Sequence, residues 1–434
     1  LTSMLQDARF RTLELIAGLD EEQLIGPQIA TVNPLRWEIG HIAYFYEYFI
    51  LRQMYGHDSL LGAHADKLYD SISVTHATRW NLPLLSTNKT LSYMQGVLDK
   101  LEIHLNNSTE DGLASEKDSL MYQFGTFHED MHDEAFTWAR QTLSYPTPIF
   151  HPDNQGSIFL RQTKPTPLDG GDARIPGGRF ELGARSDSTF LFDNEKWAHP
   201  VTVAPFRMAK SLVTNAEFAE FVEEGGYKIA ALWSEDGLKW LQEVKAIQPI
   251  YWQQDQAGGW RCRRFDSWID LPRNEPIMHV CWHEAQAFCR WAGRRLPTET
   301  EWEFAATMKP SSDGKELCKH QYPWGDKLPT SDHACLDGYS LSCIPVDCCI
   351  AGDNAWGCRN LIGNVWEWTS DTFNPFPGFM PDDYKEYSKP LFGTTKVLRG
   401  GSWATRSRYV DGIYRNYFQP HRRDIFGGFR TCAL

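Results

Sequence analysis

No cysteine precedes Cys262 in this chain of 434 residues; all ten lie from there to Cys432, and none forms a C-x-x-C pair. That pattern excludes a four-thiolate zinc site and is too sparse for a secreted disulfide scaffold. Buried free thiols in a cytosolic protein are expected instead, with the adjacent Cys348-Cys349 the one redox candidate. Positive charge is also short: 43 Lys and Arg face 56 Asp and Glu, a net charge of −13. Such a surface repels phosphate backbones and anionic lipid, so neither nucleic acid nor membrane is an expected partner. No apolar run approaches the roughly 18–20 residues of a membrane span. The most apolar stretch, Ile42 to Leu51, is short and contains Glu47. The N-terminus has no basic region followed by an apolar core and a cleavage site, so a cytoplasmic location is expected. Repeats and low-complexity tracts are absent.

What is present divides in two. Apolar periodicity near 3.6 predicts helices over Met4–Leu19, Leu35–Met54 (entered through Pro34), Thr90–Asn106 and Leu120–Leu143. Four helices with medium connections predict a bundle over residues 1–145. Residues 146–172, with five prolines from Pro146 to Pro167 and Gly170-Gly171 near the end, read as a linker or wrapping segment. From 173 to 434 the pattern changes to short strands and turns around Gly177–Phe180, Pro200–Met208, Lys396–Trp403 and Gly427–Cys432. Helices interrupt it at Asn215–Glu223, Trp282–Ala292 and Glu299–Met308. The fold class is therefore α+β: a helical bundle followed by a loop-rich domain.

His128-Glu129-Asp130-Met131-His132 falls inside the fourth helix. Positions i and i+4 share a face, so both imidazoles can reach one ion. His41, on the second helix, can join them in a bundle core. Three neutral imidazoles with open positions suit Fe(II) or Zn(II). The same five residues match H-E-x-x-H, which would make Glu129 the general base of a zinc hydrolase. The longer signature is missing, since Asp133-Glu134-Ala135-Phe136 follows.

The second half holds more specific strings: Gly293-Arg294-Arg295-Leu296-Pro297-Thr298-Glu299-Thr300-Glu301-Trp302-Glu303, Gly363-Asn364-Val365-Trp366-Glu367-Trp368, Leu398-Arg399-Gly400-Gly401-Ser402-Trp403 and Gly427-Gly428-Phe429-Arg430. Physically they read as scaffold: glycines for tight turns, tryptophans for the core, and Arg399 and Arg430 to clamp buried carboxylates. In order, over about 250 residues, they resemble the formylglycine-generating-enzyme (sulfatase-modifying-factor) fold, a C-type-lectin-like domain. True formylglycine-generating enzymes place copper-binding cysteines just after the Arg-Gly-Gly-Ser string. Here Trp403-Ala404-Thr405-Arg406 follows, without a thiol.

A DinB-like bundle ahead of such a domain resembles the non-heme iron sulfoxide synthases of ergothioneine biosynthesis, the ovothiol synthases and the selenoneine synthases. The resemblance covers nearly the whole chain. It implies an oxidoreductase with Fe(II) held by His41, His128 and His132. It also implies hercynine, O2 and a thiol or selenosugar donor as small-molecule substrates, joined by oxidative C–S or C–Se bond formation at the imidazole C2. Hercynine carries a quaternary ammonium, which calls for aromatic faces. Arg415-Asn416-Tyr417-Phe418-Gln419-Pro420-His421-Arg422-Arg423 offers rings, an amide and cations. Asn416 and Tyr417 resemble family positions near the betaine, with Phe418, Arg422 and Arg423 beside them. Arg79 resembles a family arginine that holds the donor's carboxylate. Met131 departs from the glutamine of actinobacterial enzymes, which counts against γ-glutamylcysteine as donor. Cysteine-using relatives have two adjacent tyrosines where this chain has Tyr69-Asp70. Tyr69 is then the expected proton or electron donor and Asp70 a donor-binding residue. The missing second tyrosine leans the expectation toward a selenoneine synthase with a selenosugar donor, ahead of a cysteine- or γ-glutamylcysteine-using enzyme. A zinc hydrolase and a non-catalytic lectin-like module with a vestigial bundle are the competing classes.

Overall fold

A computed structural model describes residues 1–108, 114–150, 165–185 and 190–434. The chain divides into two compact units, Leu1–His151 and Pro152–Leu434.

In the first unit, α1 (Thr2–Ile16), α2 (Glu21–Ile25), α3 (Leu35–Tyr46), α4 (Ala65–Tyr69), α5 (Thr87–Ser108) and α6 (Glu116–Thr142) form the bundle. The four expected long helices are all present. Pro34 stands at the N-cap of α3, where its missing N–H costs no hydrogen bond. Every residue of α3 except Arg36 is buried, so it runs through the core. The expected continuation to Met54 winds instead as a π-helix over Glu47–Arg52. Glu47, its first residue, is buried, and its carboxylate accepts from Tyr93 Oη at 2.7 Å and from the Leu60 N–H at 2.5 Å. α6 starts a turn earlier than expected because Ser115 caps it, accepting from the Asp118 N–H.

Two glycines set the helix spacing. A Cβ at Gly40 on α3 would stand 2.2 Å from the Tyr69 ring, and one at Gly125 on α6 would stand 2.5 Å from the Tyr46 ring. Each ring lies flat against bare helix backbone.

The expected linker 146–172 is only partly a linker, and its residues 151–164 lie outside the described residues. At its start, the Pro146 carbonyl accepts from Arg140, and the Phe150 ring lies under the Arg11 guanidinium at 3.8 Å. At its end, the Thr166 N–H donates to the Asp347 carbonyl, and Asp172 opens a strand. Each end is packed on its own unit.

The second unit contains β1 (Asp172–Ile175), β2 (Gly178–Leu182), β3 (His199–Val203), β4 (Phe206–Ala209), α7 (Asn215–Glu223), α8 (Glu235–Val244) and β5–β7 (Trp252–Gln254, Trp260–Arg264, Ser267–Asp270). Next come α9 (Trp282–Trp291), β8 (Arg294–Arg295), α10 (Glu299–Thr307), β9 (Met308–Pro310) and β10 (Leu317–Lys319). The chain ends with β11 (Trp366–Thr372), β12 (Lys396–Arg399), β13 (Asn416–Phe418), β14 (Gly427–Gly428) and β15 (Cys432–Ala433). One four-stranded sheet runs β1-β4-β15-β8 and another β13-β12-β11-β14, which puts Asn416–Phe418 on an edge strand. The specific strings of this unit are scaffold, as expected. Arg399 donates to Glu303 at 2.7 Å and to Glu299 at 3.1 Å, and Arg430 grips Glu367 with two bonds of 2.6 and 2.8 Å. All ten cysteines are free, and Cys348 and Cys349 are buried. Burial pushes the Cys348 thiol up to about 11, which makes a poor thiolate at neutral pH.

Candidate metal centre

The i, i+4 pair on α6 meets the single histidine of α3. One ligand nitrogen from each of His41, His128 and His132 lies within 4.8 Å of the others. The ring centroids are 4.5 to 5.2 Å apart. Each ring is held by a different device. His41 Nδ1 donates to the Tyr69 carbonyl at 2.8 Å, and its ring stacks on Trp37 of the same helix at 4.9 Å and 8°. His132 Nδ1 donates to Glu38 Oε1 at 2.6 Å. His128 stacks on Phe45 at 3.7 Å and 12°.

These contacts decide what the cluster can do. A carbonyl only accepts, so His41 carries its proton on Nδ1 and turns an Nε2 lone pair outward; the Glu38 carboxylate sets the same tautomer on His132. The buried Nδ1 of His128 has no hydrogen-bond partner. An orphaned nitrogen in a pocket of imidazoles is satisfied by an ion. Burial, and then the neighbouring His132, lowers His41 to about 3, and the same two causes, followed by His41, hold His128 well below its usual value. Both are neutral at pH 7, the state a metal requires. The residues therefore fit a divalent transition metal with open positions.

Glu129 faces a different element. It accepts from Arg9 Nε at 2.8 Å and from Thr12 Oγ1 at 2.9 Å, both on α1, and is fully buried. As a metal-side base it would have to abandon a buried ion pair, which is costly.

The other expected site residues have mixed fates. The Tyr69 ring packs between Gly40 and Tyr93, with its hydroxyl toward Thr90 and Leu85. What it delivers to the cluster is its carbonyl. Asp70 Oδ1 accepts from the Ile72 N–H and closes a turn. The Arg79 guanidinium lies over Trp37 at 3.7 Å and donates to Asn33 at 2.6 Å. Arg79 also helps lower His41, so it lies near the centre.

In the second unit, Tyr417 stacks on Phe373 at 4.1 Å, Asn416 Oδ1 accepts from the Tyr417 N–H, and the Phe418 ring lies 5.0 Å from the Arg422 guanidinium. Arg422 and Arg423 differ from expectation. Arg422 makes two bonds to Asp424, at 2.6 and 2.7 Å, and Arg423 is held by Glu284 and the Gln248 carbonyl. Both guanidiniums serve internal ion pairs: Asp424 lies two residues along the same loop, and Glu284 is on α9, a distant partner that spacing did not reveal. Sequence reasoning also missed Trp37, Glu38 and Phe45. The one available signal was Glu38, an acid three residues before His41 in an otherwise apolar helix.

Comparison with known families agrees with this division. A DinB superfamily match covers residues 4–135, and a sulfatase-modifying factor enzyme 1-like domain covers residues 161–433. These define a two-domain protein of the DinB plus sulfatase-modifying-factor class. Across 440 aligned residues the chain is 36% identical to hercynine oxygenase of Mycobacterium tuberculosis, covering 100% of this chain and 98% of the relative. Hercynine oxygenase of Mycolicibacterium thermoresistibile is also 36% identical, with 100% and 94% covered. Formylglycine-generating enzyme of Streptomyces coelicolor is 33% identical over 56% of this chain and 81% of its own. The chain belongs to the hercynine oxygenase family of sulfoxide synthases.

Proposed function

We propose that this chain is an O2-dependent oxidoreductase that joins a sulfur donor to the imidazole C2 of hercynine, with Fe(II) held by His41, His128 and His132. The convergence of the three imidazoles carries this reading, and full-length similarity to hercynine oxygenases supports the substrate. When bound, the metal would supply O2 activation and a common template for the reactants.

The protein's own part is to keep three imidazoles aimed at one point. The Tyr69 carbonyl, the Glu38 carboxylate and the rings of Trp37 and Phe45 hold them there. Arg79, stacked and half-buried, is the cation assigned to the donor's carboxylate. Asn416 and Tyr417 are assigned to the betaine, the ring of Tyr417 being stiffened by its stack on Phe373 and its hydroxyl bond to the Tyr387 carbonyl.

The selenosugar alternative rests on Asp70 standing where cysteine-using enzymes have a tyrosine. Full-length similarity to hercynine oxygenases favours the sulfur reading. The test is an aerobic reaction with Fe(II), hercynine and equal amounts of cysteine, γ-glutamylcysteine and selenosugar, read by mass spectrometry. Sulfur-containing hercynine sulfoxide is expected to predominate. A mainly selenium-containing product would move the protein to the selenoneine branch, and absence of any hercynine product would overturn the assignment.

A further inference from the structure

We infer that Glu38 is a positioning residue that supplies the metal centre with a negative charge; this rests on the three-histidine reading above. Glu38 is only 2% exposed. No Lys or Arg among the described residues pairs with it. Its partner is His132 Nδ1 at 2.6 Å. A buried carboxylate without a cation is unfavourable, and elsewhere in this bundle Glu129 and Glu47 follow a rule of a cation or several donors: Glu129 has Arg9, at 2.8 Å, and Glu47 accepts from Tyr93, Ser59 and the Leu60 N–H. Glu38 departs from it on the side of α3 that meets the histidines. The missing positive charge is that of a divalent ion, felt through the imidazole of His132.

The three ligands are thus unequal. His41 leans on a neutral carbonyl and a neutral ring, and His128 on a ring alone. Only His132 is backed by a carboxylate, which fixes its plane and raises its basicity toward the ion. One dipeptide, Trp37-Glu38, thereby reaches ligands on two helices. Trp37 stacks on His41 one turn along α3, and Glu38 crosses to His132 on α6.

The test is Co(II) titration of the metal-free full-length protein, followed by d–d absorption, so that no turnover is needed. Glu38→Gln keeps the shape and removes the charge. It should weaken Co(II) binding by about 10- to 100-fold and shift the d–d bands. Glu38→Asp keeps the charge but shortens the reach. If charge is what Glu38 supplies, Asp should hold Co(II) more tightly than Gln. If Glu38 only fills space, the isosteric Gln should bind more tightly than Asp. Parental affinity and spectrum in Glu38→Gln, or Gln binding at least as tightly as Asp, overturns the inference. His128→Ala, run in parallel, separates the two levels: undiminished Co(II) binding there overturns the three-histidine reading itself.

Discussion

His128 is the proposed ligand least tied by the protein, held by a ring stack and by no hydrogen bond at Nδ1. His128→Ala should therefore lower iron content by at least ~10-fold. The bundle should survive, because alanine favours helix and the lost stack is worth about 1 kcal/mol. Iron analysis beside a thermal melt checks both halves. In the second unit, Asn416→Ala and Tyr417→Ala should each raise the hercynine KM by the equivalent of about 1–2 kcal/mol while iron stays bound. Loss of iron in either would show that these residues support the fold instead. At this scale the sequence was legible where spacing speaks: His128 and His132 one turn apart, His41 on a second apolar helix. It was silent where a side chain's role depends on a distant neighbour. Arg422 and Arg423 looked available for substrate until Asp424 and Glu284 were seen to hold them.

Among the elements, the long helices of the bundle were readable from periodicity, but the π-helical turn at Glu47–Arg52 was not. It opens at Glu47, which is bonded to Tyr93 and Leu60, partners distant enough in sequence to leave no periodic signal. The helix α8 (Glu235–Val244), capped by Ser234, also went unread. Gly40 tests how the α3 and α4 elements cooperate. A methyl there would meet the buried Tyr69 ring at 2.2 Å, and Tyr69 provides the carbonyl that orients His41. Gly40→Ala should therefore cost about 1–3 kcal/mol through overpacking, despite alanine's better helix propensity. It should also weaken metal binding, since Tyr69 cannot retreat without moving its carbonyl. A denaturant melt and a Co(II) titration of the variant measure the two effects; a stabilised variant with parental metal affinity would contradict both.

Over the whole molecule, several buried histidines make stability depend on pH. His279, in the second unit, sits at φ +63° and is lowered to about 3, chiefly by burial and next by Arg263. The unfolded chain takes up a proton near pH 6.5 and the folded one does not until about 3, so unfolding binds a proton in that window. The contribution of His279 is fully present above pH 6.5 and is lost as pH falls through the window, by about 2 kcal/mol at pH 5. Asparagine tolerates the left-handed backbone. His279→Asn should therefore melt with a shallower loss between pH 7 and 5 than the parent, and an identical slope would remove His279 from that account. The two-unit layout was visible in composition, with helical periodicity giving way to prolines and then to short strands. The packed ends of the proline-rich stretch were not, because Phe150 and Thr166 carry no local signal of the partners they find.

All three proposed ligands belong to Leu1–His151, on α3 and α6. A bound ion is then a cross-link between two helices far apart in the chain, and its binding free energy is added to the folding of that unit. In calorimetry, raising the metal concentration should stabilise the helical unit by RT ln(1 + [metal]/Kd), raising its transition temperature, and leave the transition of the strand-rich unit where it was. The metal would act as a thermal label for one half of the protein, distinguishing which unit melts first without cutting the chain.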